Sequence, residues 1–234
     1  MDIAFPGGVH VQGAAAGSGF VFDNEKWAHE VPHAAFAIAS HPVTQGEYAR
    51  FLDAAGAGGR VDAGGADSAR GPAPAHHVAG QAGDVGLQSR HAPAPARQVP
   101  ATWRKRQGWQ RRVFDTWQAI TPDAPMVHVN ALQAEAYCAW AQRRLPTETE
   151  WEIAQAQLRA QGMVWEWTAS VFAPYPGFSA DPYAEYSAPW FGGQFRVLRG
   201  GSIATAPRNI WRTWRNFYLP ARSDMFCGFR TCAI

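Results

Sequence analysis

The stretch Met163-Val-Trp-Glu-Trp-Thr-Ala-Ser170 is the most informative segment of the sequence for the fold. Along a strand, alternation places the indoles of Trp165 and Trp167 on one face and the carboxylate of Glu166 on the other. Tryptophan is highly buried on average, and a buried carboxylate is almost always paired. We therefore expect both tryptophans in the core and Glu166 in contact with a buried arginine.

Three capping boxes lie ahead of this segment, each a Thr or Asn followed three residues later by Glu or Gln. They begin at Thr44, Asn130 and Thr147. In such a box the two side chains satisfy backbone N–H groups that the first turn leaves free. The boxes predict a short helix after Thr44, a second helix that ends at about Arg143, and a third ahead of Trp151.

Short apolar segments elsewhere in the chain predict strands. These segments are residues 20–22, 125–129, 164–170, 195–198 and 228–234. Loops rich in Pro, Gly and Tyr join the later ones. Early helices followed by short, irregular strands indicate an α+β domain rich in loops.

The composition restricts the class of protein. The chain has 234 residues, of which 47% are apolar and 17% charged, so disorder throughout is not expected. Its net charge of +2 argues against a nucleic-acid partner. No apolar run of about 18 residues occurs, so no membrane-spanning segment is expected. A start without a secretory pattern and only three cysteines favour a reduced, cytoplasmic setting.

Residues 54–102 differ from the rest of the chain. All 30 aromatic residues lie outside this segment, which holds 14 Ala, 9 Gly and 5 Pro. Such a composition cannot bury enough apolar surface to offset its conformational entropy. We expect a low-complexity insert that is either a disordered loop or, as its abrupt edges favour, the product of a GC-rich gene read out of frame.

Five motifs follow one another along the chain. They are Pro42-Val-Thr-Gln-Gly-Glu-Tyr48, Arg143-Arg-Leu-Pro-Thr-Glu-Thr-Glu-Trp151, Val164-Trp-Glu-Trp167, Val197-Leu-Arg-Gly-Gly-Ser202 and Gly228-Phe-Arg230. Together they resemble the formylglycine-generating-enzyme (sulfatase-modifying-factor) superfamily. The resemblance implies that residues 1–234 form a single domain with a C-type-lectin-like (formylglycine-generating-enzyme) fold. That fold is α+β, with few short helices and irregular antiparallel strands.

The resemblance leaves several functions open. The formylglycine-generating oxidases bind copper through two cysteines shortly before the final Gly-Phe-Arg, and residues 211–216 of this chain hold no cysteine. Cys227 and Cys232 straddle Gly228-Phe-Arg230, and alternation places them on opposite faces, which favours buried, inert thiols over a metal site. Copper chemistry is therefore disfavoured. A non-enzymatic, lectin-like ligand-binding module is a further alternative.

Two other branches are more similar. Residues 171–178, 181–192 and 215–217 are similar to the iron-dependent sulfoxide synthases of ergothioneine biosynthesis. The C-terminal pattern Arg222-Ser-Asp-Met-Phe-Cys-Gly-Phe-Arg-Thr-Cys-Ala233 is closer to the selenoneine synthases, as is the short linker before Trp165. This resemblance implies an O2-dependent oxidoreductase domain. It would form a C–S or C–Se bond on hercynine, a trimethylated histidine, with a thiol or selenosugar as donor.

In these relatives a DinB-like helical domain supplies three histidines to a nonheme Fe(II). The family's His-x-x-x-His-x-Glu motif occurs nowhere in this sequence. His29 and His33 have helical spacing, but Pro32 disfavours the helix that would place them on one face. We therefore expect the iron ligands to lie outside this chain, on a helical partner domain, and the chain to be inactive without it.

The resemblance also implies the site residues. A tyrosine near the iron acts as proton donor in these relatives. The candidates here are Tyr175, Tyr183 and Tyr186. An Arg-Asn-aromatic segment contacts the betaine end of the substrate, because aromatic rings attract a trimethylammonium group. The corresponding residues are Asn216, Phe217 and Tyr218. Core packing is the alternative for Phe217, and a structural role is the alternative for each of the three candidate tyrosines.

Guanidinium groups are candidates for the carboxylate or sugar of a co-substrate, since they bind oxyanions through two hydrogen bonds. These candidates are Arg212, Arg215 and Arg222, with Asp224 in the same C-terminal motif as Arg222. The alternative for at least one of these arginines is a salt bridge to Asp181, Glu185 or Asp224.

Overall fold

The computed structural model describes residues 1–56 and 98–234. Most of the predicted insert at 54–102 therefore lies outside the described residues, and that prediction is untested. The helices are α1 Gln45–Ala54, α2 Ala131–Trp140 and α3 Glu148–Ala154. The strands are β1 Asp2–Phe5, β2 Gly8–Gln12, β3 His29–His33, β4 Phe36–Ala39, β5 Trp103–Arg106, β6 Gly108–Val113, β7 Thr116–Ala119, β8 Trp165–Val171, β9 Arg196–Gly200, β10 Asn216–Tyr218 and β11 Cys227–Phe229.

The strands of the described ranges form four small sheets. The largest has the order β10-β9-β8-β11, in which β8 pairs antiparallel with β9 and parallel with β11. Strands β5, β6 and β7 form an antiparallel meander, and β1 with β4 and β2 with β3 form two-stranded ladders. Few helices and mixed, mostly antiparallel sheets confirm the expected α+β, loop-rich architecture.

The central strand β8 confirms the reading of the Trp-Glu-Trp stretch. Trp165 and Trp167 are buried in the larger core cluster, which also holds Tyr48 and Phe229. Glu166 is buried on the opposite face of the strand, where the guanidinium of Arg230 donates two hydrogen bonds to its carboxylate. The indole of Trp151 donates a third, at 2.9 Å from Nε1 to Oε2.

The three capping boxes are formed as predicted. The side chains of Thr44, Asn130 and Thr147 each accept the N–H of the residue three positions on, and the Glu or Gln there accepts the N–H of the cap. Each helix therefore begins at the predicted residue. The second helix ends at Trp140 rather than at about Arg143, because the chain turns there with Gln142 at a positive φ of 52°.

Two of the predicted strands are wrong, and the last predicted strand, 228–234, is shorter than expected because β11 ends at Phe229. Residues 20–22 form no ladder, because they lead directly into a 3-10 turn at Asp23–Glu25 and the ring of Phe22 packs against other loops. Residues 125–129 make only an isolated bridge between Pro125 and Thr44, and His128 has a positive φ of 60°. His128 is therefore not a strand residue.

Other elements gave no signal in the sequence. Strands β1 to β4 and the meander β5–β7 were not predicted, since they are only four to six residues long and several of them, such as β3 and β5, carry mostly polar side chains. His29 and His33 lie in strand β3 and not in a helix, which agrees with the expectation that Pro32 disfavours a helix at this position. Among the described residues, no helix is long and apolar enough to cross a membrane.

Candidate functional site

Strand β10 places the predicted Asn-aromatic segment at the edge of the largest sheet. Among the strands of residues 1–56 and 98–234 it pairs with β9 alone, with Asn216 opposite Leu198 and Tyr218 opposite Arg196. Its three residues are half-buried. An edge strand has one side free of sheet neighbours, so these side chains remain partly accessible to a ligand.

The ring of Phe217 is fixed by an aromatic cluster. It stacks on Phe172 with ring centroids 3.9 Å apart and an interplanar angle of 10°. The edges of Phe195 and Tyr186 approach it at 6.1 and 6.4 Å. Asn216 Oδ1 accepts the N–H of Phe217 at 2.9 Å, which orients the amide beside the ring.

Tyr186 joins this cluster to a second group of rings. It stacks on Phe22 at 4.3 Å, and Phe22 lies 6.0 and 6.4 Å from Trp214 and Trp211. Burial, followed by the negative charges of nearby acidic residues, raises the pKa of Tyr186 to about 12. A phenol is protonated at neutral pH with or without this shift, so Tyr186 can donate a hydrogen bond, while the raised pKa makes it a weaker acid than an exposed tyrosine.

Tyr175 and Arg215 lie in the interior and contact each other. The Tyr175 hydroxyl is 2.7 Å from Gln12 Nε2 and 3.3 Å from Glu148 Oε2, and the guanidinium of Arg215 lies 4.0 Å from its ring centre. Arg215 is 1% exposed and binds Glu148 through two hydrogen bonds of 2.8 and 3.0 Å. Its other N–H groups reach the carbonyl of Asn24 and that of Ala173.

The remaining predicted residues fall in two places. Arg222 lies 4.5 Å above the ring of Tyr218 and donates to both oxygens of Asp224 at 2.7 and 3.1 Å. These hydrogen bonds lower the pKa of Asp224. Tyr183 is exposed and 6.4 Å from Tyr186. Arg212 lies away from this group, with Nη1 3.4 Å from the buried carboxylate of Glu152.

The structure thus brings the rings of Tyr186 and Phe217 together next to Asn216, while Tyr218, Arg222 and Asp224 form a second group that begins in the same strand. Arg215 is buried behind the first group, with its guanidinium 5.0 Å from the ring of Phe172, and neither Tyr175 nor Arg212 contacts Phe217 in the described ranges. Phe22, Phe172 and Trp214 surround these rings and were not predicted as site residues. A pattern could have found Trp214, since it adjoins the Arg-Asn-aromatic segment, whereas Phe22 was assigned to a strand that does not form.

The described residues do not fit a nonheme iron. No group of three or more His, Cys, Asp or Glu side chains within residues 1–56 and 98–234 is arranged to hold a metal ion. His10 lies beside Glu152, while His29, His33 and His41 contact their near neighbours in the chain. These imidazoles therefore do not converge.

The cysteines are equally unsuited to copper. Cys138, Cys227 and Cys232 are free and buried, and burial raises the pKa of each thiol to about 12. The thiol of Cys227 donates to the carbonyl of Val129 at 3.0 Å. Protonated, enclosed thiols are poor metal ligands.

A loop-rich α+β domain with a buried Trp-Glu-Trp strand and a terminal Gly-Phe-Arg is a domain of the sulfatase-modifying class. The family model for the sulfatase-modifying factor enzyme 1-like domain matches residues 2–161 and 158–233. The chain therefore belongs to this family, as the five motifs indicated.

Curated relatives carry two kinds of name. A hercynine oxygenase of Mycobacterium tuberculosis is 34% identical over 254 aligned positions, covering 89% of this chain and 55% of the relative. One of Mycolicibacterium smegmatis is 33% identical and covers 98% of the chain and 60% of the relative. A formylglycine-generating enzyme of Streptomyces coelicolor is 30% identical, covering 90% and 62%. The chain spans little more than half the length of these relatives.

Solved structures share the fold. The structure of PvdO from Pseudomonas aeruginosa superposes with a TM-score of 0.56 at 16% identity, covering 99% of this chain and 93% of that one. Treponema denticola variable protein 1 superposes with a TM-score of 0.51 at 15% identity, covering 98% and 93%. At such identities the likeness concerns the fold alone.

Proposed function

We propose that this chain is the substrate-binding, lectin-like domain of a nonheme-iron, O2-dependent synthase that acts on hercynine. The observation that carries the proposal is the β10 cluster, in which an amide and several aromatic rings adjoin an Arg–Asp pair at a sheet edge. The identity of 32–34% with hercynine oxygenases supports the same substrate.

The β10 cluster matches the chemistry of a betaine. A trimethylammonium group has no hydrogen to donate, so aromatic faces and edges are its natural partners. Phe217 and Tyr186 present such surfaces on one face of β10, and Tyr218, which alternates to the other face, presents one beside Arg222. The amide of Asn216 can bond the imidazole or carboxylate of the same molecule. In this proposal Arg215 does not contact substrate: it positions Tyr175 and the adjoining loops through Glu148.

Tyr186 is our candidate proton donor. Its ring meets Phe217, and its phenol is protonated at neutral pH as any tyrosine is. Tyr183 is too exposed for a group that must work away from water, and Tyr175 is engaged with Glu148 and Gln12. We expect the second substrate, a thiol or selenosugar, to approach from the exposed side, near Arg222 and Asp224.

The iron would come from outside the described residues, which do not fit it. We propose a DinB-like helical domain as its source, because the relatives are nearly twice as long as this chain. The chain alone should then bind substrate without forming a C–S or C–Se bond. A cytoplasmic location is part of the same proposal.

Binding to the isolated chain tests the proposal. Isothermal titration should show that hercynine binds more tightly than histidine, which lacks the three methyl groups. Phe217→Leu should weaken hercynine binding by roughly threefold to thirtyfold, because a cation–aromatic contact contributes about that much. Asn216→Ala should weaken the binding of both ligands.

Phe114→Leu is the matched control, since Phe114 is 94% exposed on the distant β6–β7 turn. It should leave both affinities unchanged. Equal binding of hercynine and histidine, or a Phe217→Leu variant that binds like the control, would contradict the proposed substrate.

A further inference from the structure

A cavity of about 940 Å³ lies beside the aromatic cluster and is not part of the β10 site. Strand β2, the loop after it and the loop around Pro207–Asn209 enclose it. Phe22 and Trp214 line it, and Phe22 stacks on Tyr186. The cavity and the β10 site therefore share one wall of rings.

The aromatic wall is held rigidly. Trp211 and Trp214 stack at 4.8 Å with an interplanar angle of 15°. The indole N–H of Trp211 donates to the fully buried carboxylate of Glu25 at 2.8 Å, and the hydroxyl of Thr213 donates to the same oxygen at 2.6 Å. Anchored, parallel rings suit a ligand with a planar or apolar body.

The accessible charge in the cavity is positive. Arg208 and Arg212 line it, whereas none of its described lining residues is Asp or Glu. Arg208 is exposed and forms no hydrogen bond or ion pair with any residue in the described ranges. A guanidinium in a concave, partly apolar site without a partner is a ready anion receptor.

Arg212 is also incompletely neutralised. Glu152 already accepts a hydrogen bond of 2.6 Å from the buried Arg199. Its other oxygen accepts the N–H of Gly13 at 3.2 Å and lies 3.4 Å from both Arg212 and His10. One carboxylate thus serves two guanidinium groups and an imidazole, and the Arg212 side chain is 46% exposed.

We propose that this cavity is a second ligand site, for a carboxylate or phosphate anion attached to a planar or apolar body. The body would lie against Phe20, Phe22 and Trp211, and the anionic group would face Arg208 and Arg212. This site does not depend on the proposed reaction with hercynine, since it uses other residues for recognition and can be tested with other compounds.

Three probes of one shape and different charge test the site. They are 2-naphthoate, the neutral 2-naphthamide and the cationic 2-naphthylmethylammonium, titrated calorimetrically into the chain. We expect 2-naphthoate to bind with a Kd below about 1 mM. It should bind more tightly than the amide, and the cation should bind worst. Rising salt should weaken naphthoate binding and leave the amide nearly unaffected.

Variants locate the binding. Arg208→Gln should weaken 2-naphthoate binding by roughly threefold to tenfold and leave 2-naphthamide unchanged. Phe20→Ser should weaken both probes, because Phe20 is 77% exposed and contributes ring surface rather than core packing. Arg106→Gln removes the same charge from the distant strand β5, and it should change neither affinity.

Several results would overturn the proposal. They are no detectable binding of 2-naphthoate at 1 mM, an amide that binds as tightly as the anion, a cation that does so and loses affinity in Phe20→Ser, and an Arg208→Gln variant that behaves like Arg106→Gln. None of them bears on hercynine binding at β10, so the two proposals fail separately.

Discussion

At the scale of single residues, buried guanidinium–carboxylate pairs connect the loops of this protein. Arg199, Arg215 and Arg230 are each no more than 1% exposed. Their partners are Glu152, Glu148 and Glu166. Each guanidinium also donates to a backbone carbonyl of a segment outside the strands, at Thr213, Asn24 and Ser40 respectively. These pairs therefore replace part of the hydrogen bonding that regular secondary structure supplies elsewhere.

Removing one charge from such a pair should be costly. Glu166→Gln leaves the Arg230 guanidinium buried without a counter-charge, so we expect the free energy of unfolding to fall by about 3–5 kcal/mol. Urea denaturation followed by tryptophan fluorescence measures it. Asp224→Asn is the control, because the Arg222–Asp224 pair is exposed and should cost less than about 1 kcal/mol. Similar losses in both variants would contradict the argument.

The sequence indicated only one of these pairs. Glu166 stands between two tryptophans in a strand, so alternation alone required a buried partner. Glu148 follows a helix cap and has the composition of an exposed first turn, yet it is 7% exposed and pairs with Arg215, 67 positions away. Local patterns carry no information about a contact that distant in the chain.

At the scale of secondary-structure elements, close contacts between backbone segments hold the strands together. Strand β11 packs against the segment around Met126 at Gly228, where a Cβ atom would lie 2.3 Å from the Met126 carbonyl oxygen and 3.0 Å from Val164 Cγ2. Only glycine allows this approach, since a backbone oxygen cannot move aside as a flexible side chain can. The Gly in Gly228-Phe-Arg230 is therefore a packing requirement.

Gly228→Ala should consequently separate β11 from its neighbours. We expect a loss of several kcal/mol in unfolding free energy or failure to accumulate as folded protein, judged by the thermal midpoint and near-UV circular dichroism. Gly8→Ala is the matched control, because its Cβ would meet nothing closer than His33 Nε2 at 3.7 Å. A Gly228→Ala variant as stable as Gly8→Ala would refute the packing requirement.

Elements were predictable where a local rule determines them. The three capping boxes fixed the helix starts because the interacting groups lie three residues apart. Residues 125–129 looked like a strand by composition, but their backbone N–H groups bond to two different segments, Met126 to Val43 and Val129 to Cys227, and form no continuous ladder. Apolar residues are also needed in buried loops, so composition alone could not separate the two cases.

Family membership was predictable at the scale of the whole molecule, and the candidate site only in part. Five motifs in order indicated the family, since each reflects a packing constraint. The β10 residues came from resemblance, and whether they bind hercynine stays a prediction. The contact of the Phe22 ring with Tyr186 could not be predicted from local patterns, because the two residues are 164 positions apart in the sequence.

All three cysteines are buried, so their reactivity tests whether the folded protein as a whole shields its core from solvent. Burial raises the pKa of Cys138, Cys227 and Cys232 to about 12, from an ordinary value near 9. At pH 8 the unfolded chain has a fraction of reactive thiolate, whereas the folded chain holds its thiols protonated and shielded. An aromatic disulfide reagent at pH 8 should therefore detect no fast thiol in the native protein and three in guanidinium chloride.

Because the folded state keeps protons that the unfolded state releases between about pH 9 and 12, these thiols also make stability decline as pH rises through that range. A single thiol that reacts at the unfolded rate under native conditions would show that the fold opens locally at that cysteine.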